Sequence, residues 1–79
     1  MSPTGGGRLG TVHKALDVLE RLGSYPEGAG LQQLSSDQGL PKASMHRLLQ
    51  SLLRKQLVIK DSVSGRYRLG PGVLALAAR

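Results

Sequence analysis

The chain contains no cysteine, phenylalanine or tryptophan, and its only aromatic residues are Tyr25 and Tyr67. Without cysteine it can form no disulfide framework and no thiolate metal site, which fits a reducing cytosol. Without large aromatic residues, the core of this 79-residue chain must be mainly aliphatic. The near absence of aromatic side chains also argues against recognition of single-stranded RNA, which depends on base stacking.

Long apolar runs and acidic residues are also scarce. No stretch approaches the roughly 20 apolar residues that span a bilayer, and the N-terminal MSPTGGGR lacks the apolar segment of a secretory signal. We therefore expect a soluble, cytoplasmic protein with no membrane partner. The 5 Asp+Glu against 11 Lys+Arg give a formal net charge of +6. This charge favours a polyanionic partner, nucleic acid before an acidic membrane.

No residue pattern indicates catalysis or metal binding. His13 and His46 are far apart, with no further His or Cys at ligand spacing. No serine lies in a nucleophile motif, no carboxylate pair stands out, and the glycines at 5–7 follow no strand. We therefore expect no enzyme activity, no metal and no cofactor.

The residues from Leu31 to Leu53 carry the pattern around which the rest is organised. It contains two runs with apolar residues at helical spacing, and the first is roughly Leu31–Gln38. Gly39 and Pro41 separate the runs. Gly39 suits the left-handed position after a helix, and Pro41 suits the first turn of the next one. In the second run, apolar residues recur at helical spacing at Met45, Leu48, Leu49 and Leu52. The pattern predicts a helix-turn-helix over about residues 31–50, with the later helix continuing to about residue 55 or 56.

The outward face of that later helix is small, cationic and hydrogen-bonding, which is typical of a helix that enters the major groove. Arg47 can pair with guanine, Lys42 is placed for a phosphate, and Ala43 can meet a thymine methyl group. His46 either bonds DNA or is partly packed. In an isolated helix the same face would indicate only solvated charge. The candidate contacts are Lys42, Ala43, Ser44, His46, Arg47 and Gln50, with Gln32 of the preceding helix as a phosphate contact or a solvated residue.

Residues 1–10 contain four glycines and predict a flexible N-terminal arm. Thr11 is the predicted N-cap of a first helix that ends before Gly23. The apolar stripe predicted for its buried side comprises Val12, Ala15, Leu16, Leu19 and Leu22.

Residues 58–61 and 66–69 predict two short strands joined by a turn of hairpin length. Tyr67 and Leu69 share one face and the two arginines the other. This predicts a wing over about residues 58–69 that lies along a phosphate backbone, with a small tip. Its candidate contacts are Ser64, Gly65, Arg66 and Arg68. Residues 71–79 then begin a further, almost wholly apolar helix.

This order of elements resembles the N-terminal domain of the isocitrate lyase regulator (IclR) family of bacterial transcription factors. The match is carried by VHKALDVLERL, GLPKASMHRLLQSL and LVIKDSVSGRYRLGPGVLALA, together about residues 11–78. The resemblance implies a mainly α winged helix-turn-helix over residues 11–70, with three helices and a two-stranded wing, and the start of a linker helix at 71–79. The chain departs from the family at Ala43-Ser44, where Ser-Thr or similar is common, so one hydroxyl contact is lost.

The resemblance implies sequence-specific binding of a double-stranded DNA operator by a nucleoid-associated transcriptional regulator. Repression is the expected mode of control, with activation left open. It further implies a homodimer formed through the first helix and the linker helix, and a small-molecule effector bound by a C-terminal domain that is not present here. Two alternatives stay open: a winged helix used for protein–protein interaction, and a monomer whose apolar last helix folds onto its own core.

Overall fold

The structure is a computed structural model that describes the backbone of residues 3–79 and the side chains of residues 10–79. Its elements are α1 (Pro3–Gly23), α2 (Leu31–Gln38), α3 (Lys42–Arg54), β1 (Val58–Lys60), β2 (Tyr67–Leu69) and α4 (Pro71–Ala77). The two strands are antiparallel, and Val58 pairs with Leu69, Ile59 with Arg68, and Lys60 with Tyr67. This arrangement confirms the predicted mainly α winged helix-turn-helix with a small hairpin.

The first helix ends where the sequence predicted but begins earlier. It starts at Pro3, so Thr11 lies inside the helix and is not its N-cap. Extending a formed helix adds one hydrogen bond per residue without a new nucleation cost, which explains how α1 continues through a poor helix-forming sequence. Of the flexible arm predicted for residues 1–10, residues 1 and 2 lie outside the described residues, and residues 3–10 are the first part of α1, with only the backbone described for residues 3–9.

The buried face of α1 is rotated from the predicted one. Val18, which the predicted stripe omitted, is fully buried, whereas Val12 and Leu16 are 55% and 52% exposed. Val18 lies three residues after Ala15 and four before Leu22, so these three form an equally regular helical stripe. The helix therefore carries two adjacent apolar stripes, and the packing against α2 and β2 selects one of them.

The core is aliphatic around one aromatic side chain, as the composition requires. Tyr67 is 2% exposed and lies among side chains from α1, α2, α3, β1 and the loop before α2. Its other buried apolar members are Val18, Leu22, Ala29, Leu34, Met45, Leu49, Leu52 and Val58. The predicted inward face of α3 is thus confirmed, with Leu48 partly buried at its edge.

The turn between α2 and α3 has the predicted chemistry. Gly39 has φ of 64°, the left-handed conformation, and its N–H caps the end of α2. Ser35 of α2 is buried although it is polar, and its hydroxyl donates a hydrogen bond to the Leu40 carbonyl. This bond and the Leu40 N–H to Ser35 carbonyl bond hold the chain entering α3 against α2.

The wing is attached to the loop before α2 by a pair of backbone hydrogen bonds that the sequence did not predict. The Ala29 N–H donates to the Tyr67 carbonyl at 2.9 Å, and the Tyr67 N–H donates to the Ala29 carbonyl at 2.8 Å. A Cβ at Gly28, whose φ is 90°, would lie 2.9 Å from the Tyr67 carbonyl oxygen. Glycine therefore permits the close approach that sets the wing beside the start of α2.

Candidate nucleic-acid interface

The outward face of α3 presents the side chains that the sequence proposed for base and phosphate contact. Lys42, Ala43, His46 and Arg47 are exposed, while Ser44 and Gln50 are half-buried. The exposure of His46 excludes the alternative in which it packs into the fold. It lies 3.3 Å from Gln50, Nε2 to Nε2, one turn along the helix. Each of the two side chains therefore restricts the orientation of the other.

The first turns of α2 and α3 meet at this surface. The Lys42 ammonium group donates to the Gln32 Oε1 at 3.4 Å, a contact between the starts of the two helices. Neither helix has a side-chain N-cap bond, since their N-cap residues are Gly30 and Pro41. Uncapped backbone N–H groups, the positive end of each helix dipole and a lysine suit a phosphate group.

Arg66 extends this surface to the wing, where it precedes β2 at the turn end of the hairpin. It lines a cleft together with Gly28, Gly30 and Gln33, next to the start of α2. The structure therefore brings Arg66 close to the end of α2 that carries Gln32.

Arg68 does not line that cleft, although a Cβ at Gly28 would lie 2.8 Å from the Arg68 Cγ. It lines a different depression with Gly23 and Leu22 at the end of α1 and Ile59 of β1. The two wing arginines are therefore exposed on one face, as predicted, but border different parts of the surface.

The wing turn is held by hydrogen bonds around Asp61. One carboxylate oxygen of Asp61 accepts a hydrogen bond from the Ser64 N–H at 2.6 Å. The backbone carbonyl of Asp61 accepts one from the Gly65 N–H at 2.8 Å. The Ser64 N–H bond is the main cause that lowers the pKa of the Asp61 carboxyl group. The Ser64 hydroxyl oxygen in turn accepts the Arg66 N–H at 3.2 Å. Val63, which the sequence reading passed over, is 94% exposed at this tip.

Another cleft includes a cationic residue that the sequence did not point to as a DNA contact. Lys14 of α1 lines it together with Ser44, Arg47 and Ser51 of α3. Lys14 reaches this position because the buried stripe of α1 runs through Ala15 and Val18 rather than through Val12 and Leu16. The regular spacing of Ala15, Val18 and Leu22 was the signal that would have found it.

Asp37 joins α1, the following loop and α2 behind the interface. It accepts hydrogen bonds from the Tyr25 hydroxyl at 2.7 Å and the Gln33 amide at 2.8 Å, and pairs with Arg21 at 3.4 Å. The hydrogen bond from Tyr25 is the largest cause that lowers the pKa of Asp37, and the contacts with Gln33 and Arg21 lower it further. The Tyr25–Asp37 hydrogen bond also raises the pKa of Tyr25. This cluster fixes Gln33 and the helix that carries Gln32.

Other kinds of site find little support in the described part of the chain. Within residues 10–79 no group of three His, Cys, Asp or Glu side chains is arranged to hold a metal ion. No helix among the described residues is long and apolar enough to cross a bilayer.

The sequence and the fold both match one family of regulators. The family model described as the IclR helix-turn-helix domain matches residues 11–62 of the 79. The chain belongs to the IclR helix-turn-helix family. The family resemblance that the sequence motifs carried is thereby confirmed, and the match extends from α1 to the first part of the wing turn.

Two curated relatives of this IclR-family chain are named as regulators of transcription. The HTH-type transcriptional regulator TtgV of Pseudomonas putida is 30% identical over 67 residues, which are 85% of this chain and 26% of TtgV. The DNA-binding transcriptional repressor YiaJ of Escherichia coli is 35% identical over 69 residues, 87% of this chain and 24% of YiaJ. The chain therefore spans about a quarter of the length of these relatives.

Solved structures of IclR-family regulators share the fold. An IclR transcriptional regulator from Alicyclobacillus acidocaldarius superimposes with a TM-score of 0.82 at 33% identity, over 87% of this chain and 28% of that one. The Agobacterium tumefaciens repressor BlcR gives a TM-score of 0.76 at 26% identity, over 86% of this chain and 27% of that one. The chain is thus an IclR-family DNA-binding domain, and its fold includes the wing beyond residue 62.

Proposed function

We propose that this IclR-family domain binds operator DNA with the outward face of α3 in the major groove and the wing on the phosphate backbone. The observation that carries the proposal is the Lys42–Gln32 contact. It joins the exposed face of α3 to the start of α2, next to which Arg66 lies. Cationic groups and uncapped helix ends therefore lie side by side on one surface, which α2, α3 and the wing share.

The residues have different proposed roles. Arg47 reads a base, with Ala43, Ser44, His46 and Gln50 as further contacts to base edges or phosphates. Lys42, Gln32 and Arg66 contact phosphates, as do Ser64 and Gly65 at the wing tip and Arg68 beside it. We add Lys14 as a phosphate contact because it borders the same cleft as Arg47.

The runner-up function, a protein-interaction module, would require an apolar or acidic surface at this position. The exposed start of α3 instead carries Lys42, His46 and Arg47. The net charge of +6 further favours DNA as the partner.

We propose further that two copies form a homodimer through α1 and α4. The support is exposed apolar surface on both helices: Val12 and Leu16 are 55% and 52% exposed, and Leu74 and Leu76 are 73% and 61% exposed. Isolated exposed apolar residues are common, but two on each of these helices support the proposal of an interaction surface. The high exposure of Leu74 and Leu76 disfavours the alternative monomer in which α4 folds onto its own core.

The wider role follows from the relatives. Because the chain spans about a quarter of TtgV and YiaJ, we propose that the whole protein carries a separate domain that binds a small-molecule effector. Repression is the proposed outcome, by analogy with the name of YiaJ, and the cytoplasm, where bacterial DNA lies, is the proposed location. That the protein is not an enzyme stays a prediction, in line with relatives that are named as regulators.

Salt dependence of binding to a duplex selected from random sequences tests the proposal. If Lys42, Arg66 and Arg68 neutralise three phosphates, log K against log salt has a slope of about −3 or steeper per monomer, near −0.9 for each phosphate. Lys42→Gln should reduce the slope by about one. Lys55→Gln is the matched control, because Lys55 follows the far end of α3, about 20 Å away at 1.5 Å per residue. A slope near zero for the unmodified chain would contradict DNA binding.

A further inference from the structure

The first turn of α4 is built on the backbone that leaves α3. The Gly72 N–H donates to the Gln56 carbonyl at 2.7 Å, and the Gly70 N–H donates to the Leu57 carbonyl at 2.8 Å. Because α4 has no side-chain N-cap bond, the Gln56 carbonyl serves as a backbone cap for its start. We name Gln56, Gly70 and Gly72 the α3–α4 joint.

Only glycine fits at two positions of this joint. A Cβ at Gly70 would lie 2.4 Å from the Gln56 carbonyl oxygen. A Cβ at Gly72 would lie 2.7 Å from the carbonyl oxygens of both Gln56 and Lys55. These separations are shorter than any ordinary carbon–oxygen contact. The contact between the two chain segments therefore requires the absence of side chains on the α4 side.

The α3 side of the joint has an unusual backbone conformation. Gln56 has φ of 59°, and it is the only residue other than glycine with positive φ in the described part of the chain. The left-handed conformation is costly for a residue with a Cβ and is retained where surrounding contacts impose it. Here the Gln56 N–H donates to the Leu53 carbonyl and the Leu57 N–H donates to the Leu52 carbonyl, both at 3.0 Å.

Beyond this joint, α4 has little that holds its direction. It contributes no buried residue to the fold, and its leucines at 74 and 76 are largely exposed. The angle between α4 and α3 is thus set mainly by the joint rather than by packing along α4.

We infer that the α3–α4 joint determines the spacing of the two half-sites that a dimer recognises. The inference rests on the proposed function, in which α4 forms part of the dimer surface and α3 enters the major groove. At 1.5 Å per residue of helix, the DNA-contacting positions of α3 from Lys42 to Arg47 lie about 14–21 Å from Gln56. A rotation of about 10° at the joint therefore moves them by about 2–4 Å, close to the 3.4 Å rise of one base pair. Gln56, Gly70 and Gly72 are therefore positioning residues for operator selection.

Binding to a series of duplexes tests this role. Each duplex carries two copies of the selected half-site, with the centre-to-centre spacing changed by one base pair at a time, and a further duplex carries one half-site. We expect the unmodified chain to prefer one spacing about tenfold over its neighbours, a penalty in the range of a single mismatched base pair. Gly72→Ala should reduce that preference to about threefold or less while its affinity for the single half-site stays unchanged.

Two further variants make the result specific to the joint. Gly10→Ala is the matched control, because a Cβ at Gly10 meets nothing within 4 Å among the described residues, and it should keep the spacing preference. Inserting two glycines after Gly72 frees the rest of α4 while leaving the fold through residue 72 intact. It provides the same test if Gly72→Ala does not fold, as judged by circular dichroism.

The outcomes separate the inference from the proposed function. Loss of the spacing preference in the joint variants, with single half-site binding retained, supports the inference. An unmodified chain without spacing preference, or folded joint variants that keep it fully, overturns the inference and leaves DNA binding in place. Failure of the unmodified chain to bind any of the duplexes overturns the proposed function itself.

Discussion

Single residues of this interface differ in what they can read. Arg47 projects from the exposed middle of the outward face of α3, where a guanidinium group can make two parallel hydrogen bonds to guanine. Arg66 lies at the turn end of the wing beside the start of α2, where helix N–H groups favour a phosphate. The two arginines have the same charge, but their positions imply different contributions to affinity and specificity.

We therefore predict that Arg47→Ala and Arg66→Ala weaken binding in different ways. Arg47→Ala should cost about 1–3 kcal/mol on the selected duplex and relax preference at one base pair. Arg66→Ala should weaken selected and unrelated duplexes alike and reduce the salt slope by about one. Binding isotherms on matched and mismatched duplexes at several salt concentrations measure both effects. Equal losses on all sequences for Arg47→Ala would contradict its role in reading a base.

Asp37 shows how one carboxylate connects acid stability to the position of α2. Its hydrogen bonds from Tyr25 and Gln33 and its ion pair with Arg21 favour the ionised form and lower its pKa. A carboxyl group whose pKa is lower in the folded state stabilises the fold above its ordinary pKa. That contribution is lost as the pH falls through the lowered value.

We predict that Asp37→Asn removes part of the acid sensitivity of the fold. The unmodified chain should be more stable than the variant above pH 3.8, the ordinary value for this group. The difference should shrink as the pH falls below that value, because the unmodified carboxylate becomes protonated. Thermal unfolding from pH 7 to pH 2.5 measures it. Asp61 also has a lowered pKa and remains in both proteins, so the comparison isolates Asp37. A difference that is constant with pH would contradict the prediction.

At the scale of elements, α3 is held by its inward face and leaves its outward face free for DNA. Met45 and Leu49 are fully buried and Leu52 is 7% exposed, all on one side of the helix. Because α3 has only 13 residues, it would be only marginally stable as an isolated helix in water. Its stability therefore depends on this burial. The position of the recognition surface therefore depends on the core.

Leu49→Ala should accordingly destabilise the fold by about 2–5 kcal/mol, the usual cost of truncating a fully buried leucine. In a chain of this size, each kcal/mol lowers the Tm by about 4–8 °C. Val63→Ala is the control, because Val63 is also aliphatic but is 94% exposed on the wing, outside the proposed dimer surface, and it should cost well under half as much. Calorimetric or circular dichroism melts measure both. Similar costs for the two variants would show that the core does not lie where the structure has it.

For the whole molecule, the most consequential surface is the exposed apolar part of α1 and α4. A small domain of this size has limited area with which to cover an apolar helix. In the proposed homodimer, a second copy related by a two-fold axis would cover the same surface on both chains and place two recognition helices on one side of the DNA. The operator is then expected to be a near-palindrome with half-sites about one helical turn, or a multiple of it, apart.

We predict that the isolated chain sediments as a dimer and that Leu74→Asp converts it to a folded monomer, because a charge replaces apolar contact in the interface. Analytical ultracentrifugation over a concentration series measures the equilibrium. Val63→Asp is the matched control: it introduces the same charge at an apolar residue that is 94% exposed, but on the wing. A wild-type monomer, even on a palindromic duplex at saturating protein, would rule out the interface.

The sequence by itself determined the elements of the DNA-binding domain, because their signals are local. Gly39 and the helical spacing of Met45, Leu49 and Leu52 were enough to place the turn and the inward face of α3. The strands were predicted to within one residue at the turn, since alternation and a hairpin-length connector are also local. The candidate contacts on α3 followed once its inward face was known, and the structure leaves every one of them at least partly exposed.

The tertiary structure decided what depends on contacts between distant residues. Two overlapping stripes of α1 had equally regular helical spacing, and only packing against α2 and β2 buried Val18 and left Leu16 exposed. That choice placed Lys14 beside Arg47, and the pairing of Ala29 with Tyr67 placed Arg66 beside α2. The α3–α4 joint depends on the approach of Gly72 to Gln56, residues 16 positions apart in the sequence. Periodicity reports which faces of an element are apolar, but only the assembled fold determines which of them meet.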